Sequence, residues 1–470
     1  MIGNDIFFAS ASDLNRRLKA KEFSAVELTR AFCERLEAQG PRYNALALSL
    51  QPDALKKAKE VDEEIKRERF RSALQGVPFA VKDLLAVARH PTTWGAKPYA
   101  GQVFDTDATV VKKLNKAGAI LTGKLAMVEL AGGGGYRYPN ASLTGPGLNP
   151  WDRSRWSGGS SSGSGSAVAA GLVGFALGSE TNGSILTPSA FCGVTGLRPT
   201  YGLVSRAGAM ALSWTMDKIG PMCRSAEDCG HVLSVIAGGD GNDAASAGKN
   251  FYFAPQYARP FGEIRIGYAP VDFEESAEEG LRPAFAEAVR LLKSFGMPFR
   301  EVALPDFPYG AVGATIVSCE GASMFEELIA SGKVDELADQ RQAQGLKAGL
   351  EIPAKDYLKA MRIRTLIQQA FRDMFADIDI LVAPARTSIA SRVTESLDRL
   401  RRGGPNKGLG ALTGAGNLAG LPALCLPCGF AEKMPVGLQL VGRPFSENLL
   451  LKVGMEFQSK SDWHKQRPPV

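Results

Sequence analysis

Hydrophobic positions in this chain follow two periods in turn, helical near the N-terminus and strand-like further on. Val26, Leu28, Phe32 and Leu36 recur at helical spacing behind Ser24-Ala-Val-Glu27. That tetrad is a capping box, in which the serine hydroxyl and the glutamate carboxylate each take up an orphan backbone N–H. Ser10 reads as the N-cap of an earlier helix, and Gly40-Pro41 ends the second. A charged helix with a mostly exposed face is expected from about Pro52 to Arg69. At Leu74–Leu85 the pattern changes. Gly76-Val-Pro78 is a turn, Phe79–Val81 a short apolar strand, and Lys82-Asp83 stands at its end. A helix over Asp107–Gly118 and a strand over Ala119–Thr122 follow. Residues 157–166 are only Gly and Ser. They lead into a small-residue helix from Ala167 to about Val173, then the apolar segment Gly174–Gly178. A second tight turn, Glu180–Ser184, is closed by Pro188.

Helices and short strands then alternate to the C-terminus. The pattern predicts helix Ser225–Ala237, strand Ile264–Tyr268, helix Leu281–Phe295 and strand Phe299–Val302. Helical residues 311–330, a long amphipathic helix over about 354–376 and strand Ile378–Val382, ended by Pro384, come next. A polar, Arg-rich loop at 386–406 precedes a closing unit of Asn417–Pro422, strand Ala423–Pro427 and Gly437–Gly442. No composition break, repeat or linker divides the chain. The expected fold class is therefore α/β, one domain over residues 1–470 with strands mostly buried between helices. Within it, 1–70 form peripheral helices, 74–240 the catalytic core, and 260–460 the pocket-forming and closing part.

Composition narrows the function. With 45% hydrophobic and 22% charged residues, the 470-residue chain has ample material for a core. The net charge of +6 is mild, and its densest basic cluster, Arg399-Leu-Arg-Arg402, is too short to argue for nucleic acid. The N-terminus lacks a basic region followed by an apolar core, and Ala167–Leu177 is too short to span a bilayer, so no membrane role is expected. Seven scattered cysteines suit a reducing cytoplasm. Cys425-Leu-Pro-Cys428, a lone C-x-x-C, reads as two buried thiols on a strand.

Three histidines, His90, His231 and His464, lie apart from one another and from the Gly/Ser turns. A Ser-His-Asp triad and a His-based metal site are both poorly supported, and no metal or cofactor is expected. Gly118–Lys124 has the spacing of a phosphate-binding loop, but its interior, Ala-Ile-Leu-Thr, is strand-like, and Leu125 takes the place of the Mg²⁺-binding hydroxyl. Gly159–Gly163 matches G-x-S-x-G, which a run of only Gly and Ser can hardly avoid. A serine nucleophile without histidine needs another base, and a neutral lysine can serve, since burial lowers a lysine pKa by up to about 3–5 units. Lys82, at the end of a buried strand, is the best-placed candidate. Its immediate neighbours fit equally a surface lysine paired with Asp83.

Gly158–Ser164, G-G-S-S-S-G-S, and Glu180–Leu186, E-T-N-G-S-I-L, with Phe191–Ser205 beyond them, resemble the amidase signature family. Ser160 and Ser184 fall on that family's two key serines with its separation, 24 residues. Gly76–Asp83 resembles the segment carrying its catalytic lysine, here Lys82. The resemblance covers about residues 10–460 and implies a large mixed sheet wrapped by helices. It also implies a Ser–Ser–Lys mechanism: Ser184 attacks the carbonyl carbon, Ser160 relays the proton across a cis Gly159–Ser160 peptide, and Lys82 is the base. Ser161 supports them, and the N–H groups of Thr181, Asn182, Gly183 and Ser184 stabilise the oxyanion. Met127, Gly132, Gly133, Tyr136 and Leu186 are the candidate pocket residues.

The chain departs from the family at Asn182 and Ser162, both glycine positions, and at Leu186, commonly arginine. Asn182 can keep the turn because asparagine tolerates the left-handed region. Leu186, with no compensating cation evident, implies neutral, fairly apolar acyl or aryl amides, cleaved through an acyl-enzyme, with esters and carbamates as further substrates. Two other readings are an A-type subunit of a glutamyl- or aspartyl-tRNA amidotransferase and an inactive scaffold. Ile316–Leu328 does not resemble that subunit's substrate region, and all three triad positions are filled. The expected partner is a small-molecule amide, with the chain as monomer or homodimer.

Overall fold

Eleven strands hydrogen-bond into one mixed sheet in the computed structural model, which describes residues 2–398 and 408–469. They are β1 (Leu46–Ser49), β2 (Pro78–Lys82), β3 (Ile120–Leu125), β4 (Phe175–Glu180), β5 (Thr195–Arg198) and β6 (Lys218–Cys223). The remainder are β7 (Ile266–Tyr268), β8 (Phe299–Glu301), β9 (Ile380–Pro384), β10 (Ala423–Ala431) and β11 (Met434–Gly442). Their order across the sheet is β1-β3-β2-β4-β6-β5-β10-β11-β9-β7-β8. β2 lies parallel to β3 and β4, and β7 parallel to β8 and β9; the other pairs are antiparallel. Every residue of β2, β3, β4 and β6 is buried. Such strands read as continuous apolar runs because helices cover both faces.

The first helices are α1 (Ala11–Lys19), α2 (Ala25–Gln39) and α3 (Gln51–Lys66). Ser10 and Ser24 cap α1 and α2 as their positions predict, and the reciprocal Ser24–Glu27 box is complete. The Asp228 carboxylate accepts the N–H of Ala11 at 2.9 Å, tying α1 to the helix Ala226–Ile236. Leu14, Phe32 and Val61 from these helices share one buried cluster with Phe79, Ile380 and Phe457. A core that runs from the first helix to the last unites the chain into a single α/β domain. α4 (Thr109–Lys116) and β3 follow where the periodicity puts them, and the lysine of the rejected phosphate-loop spacing, Lys124, is a buried strand residue. Cys425 and Cys428 are buried in β10. The basic cluster at 399–402 lies outside the described residues.

The Gly/Ser stretch differs from expectation. α5 spans Ser162–Ala169, so the helix begins inside the stretch, five residues before Ala167. Close packing is the reason. A Cβ on Gly163 would lie 2.5 Å from the Ala45 carbonyl oxygen and 2.6 Å from the Ala126 nitrogen. Only glycine lets these backbones approach. The second turn is likewise shorter than its sequence suggests. α6 spans Leu186–Cys192 and contains Pro188 in its first turn, where the missing N–H has no intrahelical partner to lose. The helices Gln340–Leu350 and Glu447–Ser459 were not predicted.

Two neighbouring lysines show what register does to charge. Val81 of β2 is registered with Lys124 of β3, so Lys124 stands on the face opposite Lys82. Asp83 also points to that face and pairs with Lys124 at 2.7 Å, both fully buried. Breaking a buried pair leaves an uncompensated charge and costs about 3–5 kcal/mol, whereas apolar replacement of both partners is often neutral. Lys124→Met is therefore expected to lower stability by about 3 kcal/mol or more, and Asp83→Leu with Lys124→Met to recover most of it. Urea unfolding of the three proteins checks this; a double variant no better than the single one overturns it.

Candidate functional site

The site forms where β2 and β4 end side by side. Lys82 is the last residue of β2, one beyond the last pairing with β4, and its side chain is fully buried. Its Nζ donates to Ser160 Oγ at 2.7 Å and to Ser179 Oγ at 2.9 Å. Among the described residues no carboxylate pairs with it, and Asp83 is held by Lys124 on the other face. Burial pulls the Lys82 ammonium down to about 7, against the opposing pull of Asp217 and Glu180. At neutral pH a large share of Lys82 is thus the free amine, a base in contact with a hydroxyl.

The peptide Gly159–Ser160 is cis. Ser160 precedes α5, and its carbonyl accepts the Val128 N–H at 3.0 Å. Ser161 N–H donates to the Ser184 carbonyl at 3.3 Å, and Ser161 Oγ donates to the Ser179 carbonyl at 3.2 Å. Ser161 therefore joins the two serine-bearing turns. Ser184 lies on the turn between β4 and α6, its side chain nearly buried. Among the described residues the hydroxyls of Ser160 and Ser184 are not hydrogen-bonded to each other. Catalytic hydrogen bonds are often made only once substrate is bound.

Glu180 holds this turn. One carboxylate oxygen accepts the N–H groups of Ile185 at 2.8 Å and Leu186 at 3.0 Å. The other accepts Arg198 Nη1 at 2.9 Å and Asn417 Nδ2 at 2.8 Å. Desolvation alone would raise its pKa, but Arg198, then Lys218 and the hydrogen bonds, bring it to about 2. The Thr181 hydroxyl donates to Asp217 at 2.6 Å on the opposite side. Between these anchors the N–H groups of residues 181–184 have no acceptor among the described residues, and Gly183 takes the left-handed conformation, φ +91°. Asn182 has no such strain, so this position in the turn does not require glycine. Its side chain is exposed at the mouth of the site, facing Gly414. Ser162 is buried and directs its hydroxyl at the Ala126 carbonyl, 3.4 Å away.

The pocket candidates separate. Tyr136 covers Gly132, packs on Trp156, and brings its hydroxyl to 3.4 Å from where a Gly159 Cβ would stand. Gly132 has φ +90°, and Gly133 abuts Leu212 and Phe325. Met127 and Leu186 are packed in core clusters, Leu186 in the one that also holds Met216 and Ile316. A cavity of about 150 Å³ opens against Ser179 and Thr181 and is lined by Leu84, Met210, Leu212 and Asp217. Sequence reasoning missed Ser179, Asp217, Arg198 and Asn417. None of the four gave a signal: Leu177 is registered with Val81, so alternation along β4 assigns Ser179 to the face opposite Lys82. Among the described residues, no group of three His, Cys, Asp or Glu side chains is placed to hold a metal ion, and no helix is long and apolar enough to cross a membrane.

Chemically, this is a lysine amine hydrogen-bonded to Ser160 and Ser179, a further serine, Ser184, on an anchored turn, and N–H groups beside it with no acceptor among the described residues. Such an arrangement suits attack on an acyl carbon. Known proteins carry the same signature. The family model named Amidase matches residues 27–451. A curated relative, the A-type subunit of the glutamyl-tRNA(Gln) amidotransferase of Carboxydothermus hydrogenoformans, is 36% identical over 99% of this chain and 100% of its own length. The solved peptide amidase of Stenotrophomonas maltophilia superposes with a TM-score of 0.84 at 32% identity, covering 98% of each chain. A chain from a vestigial protein complex, solved in connection with the origins of an s-triazine catabolic enzyme, gives 0.87 at 28% identity, covering 96% of this chain and 99% of that one. The chain thus belongs to the amidase signature family and is a hydrolase of the amidase type.

Proposed function

We propose that the chain cleaves the C–N bond of a carboxamide through an acyl-enzyme on Ser184. The observation that carries this reading is the contact of Lys82 Nζ with Ser160 Oγ, made by a lysine that burial holds near neutrality. Lys82 takes a proton from Ser160 as Ser160 takes one from Ser184, and Ser184 Oγ adds to the carbonyl carbon. The N–H groups of Thr181–Ser184 meet the oxyanion. Collapse returns the proton through the same path to the leaving nitrogen, and water then repeats the sequence to free the acid.

Two contexts divide the relatives. The names of the curated relatives support an A-type subunit that releases ammonia from an amide for a partner. The peptide amidase supports a chain that works alone. End-to-end identity of 34–37% makes the first the better supported. The narrower expectation of neutral aryl amides has no comparable support. Ammonia release from glutamine and nitroaniline release from a simple anilide, measured on the purified chain alone, separate the two contexts.

Two predictions test the chemistry itself. Ser184→Ala is expected to lose about 10³-fold or more in kcat and all labelling by a serine-directed organophosphorus reagent. Alanine at Ser161, Ser162 or Ser164 should be far milder. Retained turnover in Ser184→Ala, with the label on Ser160, overturns the assignment.

The pH profile tests the base. Lys82 acts as the free amine, so kcat/KM should fall as pH drops below its midpoint near 7 and hold a plateau above it. Lys82→Arg, charged at every working pH, should abolish that limb along with turnover. A profile that falls on the alkaline side instead contradicts a lysine base.

A further inference from the structure

Arg386 is the second residue beyond β9 and begins a loop that the sequence marks only as polar. Its position follows from a chain of hydrogen bonds. Gln439 of β11 donates to the carbonyl of Pro384 at 2.9 Å and to Thr413 Oγ1 at 3.1 Å. Thr413 borders the oxyanion turn, since a Cβ on Gly183 would stand 3.4 Å from its methyl group. Arg386 thus leaves the sheet beside the turn that carries Ser184. Its guanidinium is within electrostatic reach of Tyr136 and of Glu180. Tyr136 brings its hydroxyl to Gly159 and Glu180 anchors the Ser184 turn, so the cation lies in the neighbourhood of both serine-bearing turns.

This guanidinium differs from the others inside the protein. Arg198 pairs with Glu180, Arg206 with Asp243, and Arg364 donates to the carbonyls of Leu418 and Thr215. Among the described residues Arg386 has none of these: its Nε is sealed from solvent with no hydrogen-bond partner, and the residue as a whole is half-buried. Glu180 cannot serve, because both its oxygens are filled by Ile185, Leu186, Arg198 and Asn417. Burial weakens the cation's hold on its proton, the direction expected for a charge without a counter-ion. A planar fork of donors in the neighbourhood of the Ser184 turn matches a carboxylate, which it can bind through two parallel hydrogen bonds.

We propose that Arg386 receives a carboxylate of the substrate, so that the amide cleaved at Ser184 belongs to a molecule with an anionic group a few bonds from the scissile carbonyl. The inference rests on Ser184 as nucleophile. It reverses the expectation drawn from Leu186. That side chain is packed in the core, and the positive charge enters from the loop after β9 instead.

The test compares glutaramate and glutamine with pentanamide, a neutral amide of matching length. Wild type should favour one of the two carboxylated amides over pentanamide in kcat/KM by about 10–100-fold, the range of a charged hydrogen-bonded pair. Arg386→Gln should bring that ratio close to one, with the change mainly in KM, and Arg386→Lys should keep part of it. Because the readout is a ratio within each protein, partial misfolding does not imitate it. A second arm needs no turnover: glutarate should bind the Ser184→Ala protein in calorimetry, and adding Arg386→Gln should weaken it about tenfold or more. Equal treatment of charged and neutral amides by wild type, a ratio that survives Arg386→Gln, or glutarate binding indifferent to residue 386 each overturns the proposal. A protein that binds glutarate through Arg386 yet cleaves no amide would leave this inference standing and remove the proposed hydrolysis.

Discussion

The Glu180 carboxylate is the constraint on which the site depends. It is a buried anion with four donors, two from the backbone at the start of α6, one from Arg198 and one from Asn417. Remove any donor and the charge is left in a medium that cannot solvate it. Because these donors come from separate stretches of chain, the carboxylate fixes the end of β4, the start of α6, β5 and the helix Leu412–Leu418 relative to one another. The residues between its strand and its helix have no freedom left, so their N–H groups stay oriented without hydrogen bonds of their own. That is the preorganisation an oxyanion site requires.

A second division of charge complements it. Three ionisable groups, Lys82, Asp83 and Lys124, lie within two adjacent strands. Strand alternation sorts them, with Asp83 and Lys124 on one face and Lys82 alone on the other. Were Lys82 beside Asp83, the pair would hold it protonated and it could not accept a proton at neutral pH. Lys124 is therefore part of what leaves Lys82 free for the proposed role of base, by holding Asp83 on the other face.

Local signals carried much of the fold. Ser10 and Ser24 announce their helices because capping needs only residues a turn apart. Lys82 stood out because lysine seldom ends a buried strand. What the sequence concealed depends on distant partners. Whether Lys82 met Asp83 or solvent was decided by the register of β3. Ser162 to Ser166 read as a loop because Gly and Ser favour loops, and tertiary packing against Ala45 and Ala126 overrode that preference. Asn182 seemed to need the left-handed region that Gly183 in fact occupies. Arg386 was hidden in a loop with several arginines, and its lack of a hydrogen-bond partner among the described residues sets it apart.

The composition of α5 has a consequence for how this molecule gains and loses its site. Six of its eight residues are Ser, Gly or Val, poor helix formers, and eight residues are too few for an isolated helix in water. The segment has no helical tendency to draw on before its surroundings exist. It becomes ordered only when β2, β3 and β4 are already assembled around it, among the later events of folding, because its contacts are distant in sequence. By the same reasoning it is lost early when the sheet loosens. Catalytic competence should therefore report on native packing more stringently than any measure of secondary structure, with helical signal outlasting activity as the protein is warmed.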